Sequence, residues 1–499
     1  MRLRLRLRRV RLRLRRWRPI DGILSFLRVS IPMFHSFKSR LRNSKAGSAP
    51  DSGLYHYVRD TGTEKSRIHL RLDPNGTGTL IVNANSVMHL NPTAAFMAWL
   101  ILEGIPREAG IGALQSLYSV GRREAGNDWD EFNLQLEELI RPDGACAIHD
   151  LDLEMIMPFS ARPTAPYRMD LALTYRCNND CAHCYNARER NFPELTTEEW
   201  FQVLDRLWGL GVPHIVFTGG EATLRNDLPD LIRHAEGNGQ ITGLNTNARR
   251  LSDPRYVNHL VEAGLDHVQI TVESCDEEIH DVMMCARGAF RQTIEGLKNA
   301  LAGNLYVMTN TTMLRTNLHT VPDTLDFLAS IGVPTIGLNA LIYSGKGLTV
   351  GTGLREFELQ SMLEVATRKT TEHGQKLIWY TPTEYCQFDP TAHNLGVKGC
   401  TAALYSMCIE SNGDVLPCQS YYHPLGNFLR DAWDSIWNHP LSIQLRERRD
   451  LPFKCETCSL VAECGGGFPL RFENHRYRFN VNLPVVQPQL VERNPASPL

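Results

Sequence analysis

No stretch of this 499-residue chain is apolar for long enough to cross a bilayer as a helix, so no membrane span is expected. Acidic residues are missing from the first eighteen positions, where ten arginines stand mostly among leucines. That run also lacks the apolar core and small-residue cleavage site of a signal peptide. It reads as a basic, disordered extension over residues 1–50, with Met33 one candidate for the true start. A basic arm for membrane or nucleic acid is the alternative. Setting the arginines aside moves the formal charge from −2 to about −12 for the remainder. An acidic body gives no reason to expect a nucleic-acid partner. Cysteine is scarce at the front: of thirteen, only Cys146 precedes Cys177. The rest fall into dense clusters, which in a chain this long suggests metal ligation more than a disulfide framework.

The first cluster lacks a fourth member. Cys177, Cys181 and Cys184 form C-x3-C-x2-C after the apolar stretch ending Leu173-Thr174. A [4Fe–4S] cluster normally takes four thiolates, so three leave one iron open to bind and reduce a small molecule. A zinc knuckle or three buried cysteines would be the plainer explanations. Thirty-five residues beyond Cys184, and ending the next apolar run, comes Phe217-Thr218-Gly219-Gly220-Glu221-Ala222. Glycine suits backbone that approaches a ligand closely, and a glutamate supplies an acceptor for a charged amino group.

Together these residues resemble the radical S-adenosylmethionine (SAM) family. The resemblance implies a catalytic cluster on Cys177, Cys181 and Cys184 whose open iron holds SAM. It places Gly219, Gly220 and Glu221 at the methionyl ammonium, with Ala222 where the family usually has proline. It further implies SAM contacts from Asn247, in Asn245-Thr246-Asn247, and from Thr271 and Glu273, in Gln269-Ile270-Thr271-Val272-Glu273. Glu273 is one methylene longer than the family's aspartate. Asn310 is placed to point into the barrel. His280-Asp281 continues the pattern, but Met283, Met284 and Cys285 stand where an arginine often follows, before Arg287. His183 is read as a packing residue rather than an acid or base.

Three domains and two flanking segments are expected. Residues 51–145 form a small α+β module. Short alternating runs at Tyr55–Val58, Arg67–Leu72 and Thr79–Asn83 are separated by the turn Asp73-Pro74-Asn75-Gly76. Asn91 and Pro92 then cap and start a helix, and helical spacing recurs over 110–119 and 129–140. Strands, then Leu90-Asn91-Pro92-Thr93, then three helices resemble the PqqD-like, winged-helix module that recognises the leader of a precursor peptide. In that family the extended peptide adds to the edge of the small sheet. Residues 146–166 read as a proline-bearing linker. From 167 to 375, six apolar runs alternate with helical patterns, which implies parallel strands joined by right-handed crossovers. This resembles the partial (β/α)6 radical SAM barrel, with its chemistry at the C-terminal strand ends.

Residues 376–480 hold two more cysteine groups: Cys400, Cys408 and Cys418, then Cys455, Cys458 and Cys464. Cys400, twelve residues, Gly413, four residues and Cys418 match the first half of the SPASM motif, as in maturases that carry auxiliary [4Fe–4S] clusters. The second half departs. Phe468 stands at the fourth cysteine's position, and no cysteine follows Cys464. One or two auxiliary clusters are expected, with a zinc site as the alternative. Cys146, Cys275, Cys285 and Cys386 are left unassigned, and Cys386 is the candidate for a substrate-side thiol. Residues 481–499 read as a loose tail.

The expected function is reductive cleavage of SAM to a 5′-deoxyadenosyl radical, followed by hydrogen abstraction from a ribosomally made peptide. The alternatives are biosynthesis of a cofactor or haem-type tetrapyrrole, and a non-catalytic leader-binding iron–sulfur scaffold. A flavodoxin or ferredoxin would supply electrons. Oxygen-sensitive clusters point to the cytoplasm.

Overall fold

The computed structural model describes residues 49–60, 65–83, 86–140, 163–188, 190–303, 305–449, 451–467 and 469. The arginine-rich start, Cys146, most of the linker, Phe468 and the tail therefore lie outside the described residues. The described chain falls into two compact units, one built on residues 49–140 with the short stretch 209–213 and the other on the remaining residues from 163 onward.

The first unit is an antiparallel meander of four strands, β1 (Gly53–Asp60), β2 (Lys65–Leu72), β3 (Gly78–Val82) and β4 (Ser86–Leu90), in the order β1-β2-β3-β4. Three helices follow: α1 (Pro92–Leu102), α2 (Arg107–Leu117) and α3 (Arg122–Ile140). The predicted turn is present, with Gly76 N–H bonded to Asp73 O at 2.9 Å. The Asn91 side chain caps α1 by accepting from Ala94 N–H at 2.9 Å. Leu70, Leu80, Met97, Leu114 and Leu136 are fully buried in one core shared by sheet and helices. β4 was not expected from the sequence, since its five residues run straight into the helix cap. α3 starts seven residues before the predicted run, because its first two turns are mostly polar.

In the second unit six parallel strands follow the expected rhythm: β5 (Arg168–Thr174), β6 (His214–Gly219), β7 (Ile241–Thr246), β8 (His267–Thr271), β9 (Tyr306–Thr312) and β10 (Thr335–Asn339). Helices α4 (Thr197–Gly209), α5 (Leu228–Asn238), α6 (Pro254–Ala263), α8 (Ala289–Ala302) and α9 (Val321–Ser330) connect them, with an extra helix α7 (Glu277–Met284) after β8. The sheet does not stop at six strands. Helix α10 (Glu356–Glu372) leads to β11 (Lys376–Trp379), which pairs in parallel with β10. At the other edge β12 (Ser406–Ile409) lies parallel to β5, and β13 (Asp414–Leu416) and β14 (Gly426–Asn427) continue it antiparallel. The C-terminal region thus extends the barrel's own sheet to ten strands. Buried strands with near-continuous apolar runs, such as His214–Gly219, fit a sheet covered on both faces.

Candidate functional site

The C-terminal ends of β5 to β10 open onto one cavity of about 490 Å³. That volume lies within the ~300–1,000 Å³ typical of small-molecule sites. Cys177, Cys181 and Cys184, on the loop after β5, all line it. Opposite them stand Gly219, Gly220, Asn247, Thr271, Glu273 and Asn310, each at or beside a strand end. Of the ten residues expected at the site, Asn310 included, nine line this cavity.

Glu221 does not line it. The carboxylate is 1% exposed and turned away, with four donors around it. Thr223 N–H, Thr223 Oγ1 and Thr246 Oγ1 reach Oε1 at 3.2, 2.7 and 2.7 Å, and Asn247 N–H reaches Oε2 at 2.8 Å. A buried carboxylate needs such partners, since an unpaired one costs several kcal/mol (roughly). Glu221 therefore ties the end of β6 to the end of β7 from behind the wall. The two glycines are needed for a related reason. A Cβ on Gly219 would stand 2.1 Å from Thr174 O, and one on Gly220 would stand 2.5 Å from Arg176 O. The close approach is to the backbone that launches the cysteine loop, which Gly220 and Glu221 N–H bond at 2.8 and 2.9 Å.

Helix α7 holds the cysteine loop from the other side. Asp180 and Ala182 N–H donate to Met284 O and Met283 O at 3.1 and 3.0 Å, and the Met284 sulfur lies 3.4 Å from Cys181 Sγ. The methionines standing where an arginine was expected therefore pack the loop. His183 differs from its sequence reading. Its Nε2 pairs with Glu273 Oε1 at 3.0 Å, and Glu273 Oε2 accepts Thr312 N–H at 2.8 Å. This pair joins the cysteine loop to the end of β8, and a long-range partner of that kind leaves no local trace in the sequence.

Burial, with Glu221 close by, pushes the Cys177 thiol up to about 12. Burial and the two neighbouring thiols push Cys181 well up, and burial raises Cys184. Such thiols ionise when a metal takes the proton's place. Five cavity-lining side chains also carry buried polar atoms with no hydrogen-bond partner: Asn179 Nδ2, His183 Nδ1, Asn186 Oδ1, Arg188 Nε and Arg190 Nη2. Unpaired buried polar groups are costly, and their convergence on a cavity suits a polar ligand. Among the described residues no three His, Cys, Asp or Glu side chains converge on a single-ion site. One tetrahedral zinc would draw its sulfurs to about 3.8 Å apart, closer than four-iron ligation requires.

Residues 171–328 match the model of the radical SAM superfamily, and residues 400–459 match that of the SPASM iron–sulfur cluster-binding domain. The PqqA peptide cyclase of Bradyrhizobium diazoefficiens is 32% identical over 259 residues, 51% of this chain and 67% of that protein. The chain belongs to the radical SAM superfamily. It is a radical SAM enzyme with a SPASM domain, and it binds a [4Fe–4S] cluster, SAM and auxiliary iron–sulfur cluster(s). The Fe-coproporphyrin III synthase of Methanosarcina barkeri is 28% identical over 334 residues, 60% of this chain and 82% of that protein. In fold, the chain is similar to SuiB of Streptococcus suis, solved with its precursor peptide SuiA. That match has a TM-score of 0.61 at 18% identity and covers 82% of this chain and 95% of that one. Coverage of 82% is more than the second unit alone can supply, so the likeness in fold reaches into the first unit.

The SPASM region meets the radical SAM loop through buried polar contacts. Glu410, 1% exposed at the end of β12, receives Arg188 Nη2 at 2.6 and 2.7 Å, Arg190 Nε at 3.3 Å and Tyr175 OH at 3.0 Å. Gln419, next to Cys418, accepts from Tyr185 OH at 3.0 Å and lies against Gly219 O. Cys400, Cys408 and Cys418 interact as neighbours, and burial pushes Cys400 up to about 12. Cys455, Cys458 and Cys464 form a second, more peripheral group.

Proposed function

We propose that this enzyme matures a ribosomally made peptide. The observation that carries the reading is the one cavity in which three half-buried thiols face the polar ends of parallel strands. When bound, the reduced cluster and SAM supply a 5′-deoxyadenosyl radical that takes hydrogen from an unactivated carbon. Cys177, Cys181 and Cys184 hold that cluster. The Gly219–Gly220 backbone with Asn247, Thr271 and Glu273 orients SAM, while Glu221 fixes the spacing of β6 and β7 behind it. His183 keeps Glu273 paired and presents Nδ1 to the cavity. Arg190 stacks over Tyr175 at 3.0 Å from the ring centroid, which braces the rim that excludes water.

The first unit serves as the leader-recognition domain, PqqD-like in its strands and three helices. Among the described residues its outer strands β1 and β4 each pair on one side only, which leaves a backbone edge for an extended peptide. Cys400, Cys408, Cys418, Cys455, Cys458 and Cys464 hold the auxiliary clusters. A flavodoxin- or ferredoxin-type donor supplies electrons, and the cluster chemistry suits a reducing cytoplasm. Among the described residues no helix is long and apolar enough to cross a membrane.

The tetrapyrrole reading has support in the Methanosarcina relative. That match covers 60% of this chain and the PqqA peptide cyclase 51%, each too little to include both units in full. The peptide reading gives the first unit a task. The test is anaerobic turnover of the full chain with SAM and reductant, offered either a leader-bearing precursor peptide or an iron porphyrin. A mass change in the peptide, lost in the Cys177/Cys181/Cys184→Ala variant, supports the reading. SAM cleavage coupled only to a change in the porphyrin overturns it.

A further inference from the structure

The second SPASM group is one thiolate short, and the missing ligand is not where the motif puts it. No cysteine follows Cys464. The segment leaving β11, Thr383-Glu384-Tyr385-Cys386, lies directly against the group instead. Tyr385 N–H donates to Cys464 Sγ at 3.4 Å, and the same sulfur lies 3.6 Å from Thr383 O. From the other side, Lys454, the residue before Cys455, places Nζ 2.6 Å from Glu384 Oε2 and 3.8 Å from Cys386 Sγ. Cys386 is thus bracketed by one neighbour bonded to the Cys464 sulfur and by a lysine adjacent to Cys455.

We propose that Cys386 is the fourth thiolate of an auxiliary [4Fe–4S] cluster otherwise held by Cys455, Cys458 and Cys464. This rests on the reading that those three cysteines bind a cluster. Four thiolates complete the usual ligation, with each thiol giving up its proton as iron binds. The Lys454 ammonium beside Cys386 offsets the negative charge that four thiolates bring. Cys386 is solvent-exposed, so its side chain has little packing to lose when replaced. Of the other cysteines that the motifs leave unassigned, Cys146 lies outside the described residues and two are placed elsewhere. Cys275 bonds through its N–H to Thr324, and Cys285 caps α7. A ligand arriving from upstream of the whole motif gives this cluster no open iron, so it is suited to passing electrons rather than binding substrate.

The experiment uses the full chain, isolated anaerobically, with Cys177, Cys181 and Cys184 replaced by alanine so that only auxiliary iron remains. Cys386→Ala and Cys455→Ala are each added to that background, and iron, sulfide and the reduced EPR spectrum are measured. The expected result is that both remove the same signal and up to about four irons per chain. As a second readout, Cys386 in the unsubstituted protein is treated with iodoacetamide before and after iron chelation, followed by peptide mass spectrometry. Protection before chelation and labelling after it are expected. If Cys455→Ala removes iron while Cys386→Ala leaves iron and spectrum unchanged and Cys386 labels freely throughout, the ligand assignment is overturned and the cluster stands. If neither substitution changes the iron content, the cluster reading itself falls.

Discussion

The two cysteine trios at the ends of this chain's motifs are built on different logic. At the barrel mouth, Cys177, Cys181 and Cys184 sit within one short loop, clasped by the β6 glycines on one side and by α7 on the other. Their surroundings are buried, polar and drawn from six strands. Cys455, Cys458 and Cys464 stand in a peripheral segment with few regular elements around them, a 3-10 turn (Phe453–Cys455) and a four-residue helix (Val461–Cys464). The first trio is shaped by the fold. On the proposed ligation, the second depends on its own metal and on the segment after β11. A site that must keep an iron open needs rigid walls, whereas a fully ligated cluster can itself organise the chain around it.

That contrast can be broken by substitution. Cys181→Ala should lower SAM cleavage by roughly a thousandfold or more while leaving auxiliary iron in place, because the cofactor carries the chemistry. Retained cleavage would dissolve the distinction between the trios. Cys408→Ser, in the SPASM group nearest the mouth, should do the reverse. Deoxyadenosine release should persist within a few-fold while peptide product falls by about a hundredfold, measured by paired chromatography and mass spectrometry. Glu410→Gln should leave Arg188 and Arg190 short of a buried counter-charge and cost about 3 kcal/mol in anaerobic denaturant titrations.

Glu273→Gln should weaken the His183 contact and raise the SAM concentration for half-maximal cleavage about tenfold, with the maximal rate changed less. The smallest effect belongs to acid. Burial, against the raising influence of Glu273, lowers His280 to about 4, and its Nδ1 faces Glu273 N–H. The unfolded chain then binds the extra proton first. Stability is full above about pH 6.5 and is lost as pH falls toward 4, by about 1 kcal/mol at pH 5.5. Denaturation midpoints at pH 7.5 and 5.5 should converge in His280→Asn relative to the unsubstituted protein.

The barrel was legible because its strands are buried on both faces and its helices are amphipathic. All six expected strands lie within a residue or a few of where the apolar runs placed them. The cavity residues were legible because their motifs fall at strand ends. What escaped has a common cause in contacts distant along the chain. Glu221 looks like a ligand in sequence, yet its oxygens are taken by Thr223, Thr246 and Asn247. His183 and Met284 acquire their roles from Glu273 and Cys181, 90 and 103 residues away. Neither β11 nor β12 could be assigned to the barrel by periodicity alone, since each has only four residues and its partner is set by topology. Cys386 reads in the sequence as a candidate substrate-side thiol, and only the chain's path after β11 brings it beside Lys454.

β12 joins β5 in parallel register, with Cys408 opposite Asp170. The strand bearing one auxiliary cysteine and the strand leading to the catalytic loop therefore share a ladder of backbone hydrogen bonds. Neither can swing away from the other without unzipping the sheet. If Cys408 holds an auxiliary cluster as proposed, charge passing between the two metal sites has no hinge to wait for, and its tempo is set by a fixed separation, as in a wire soldered at both ends.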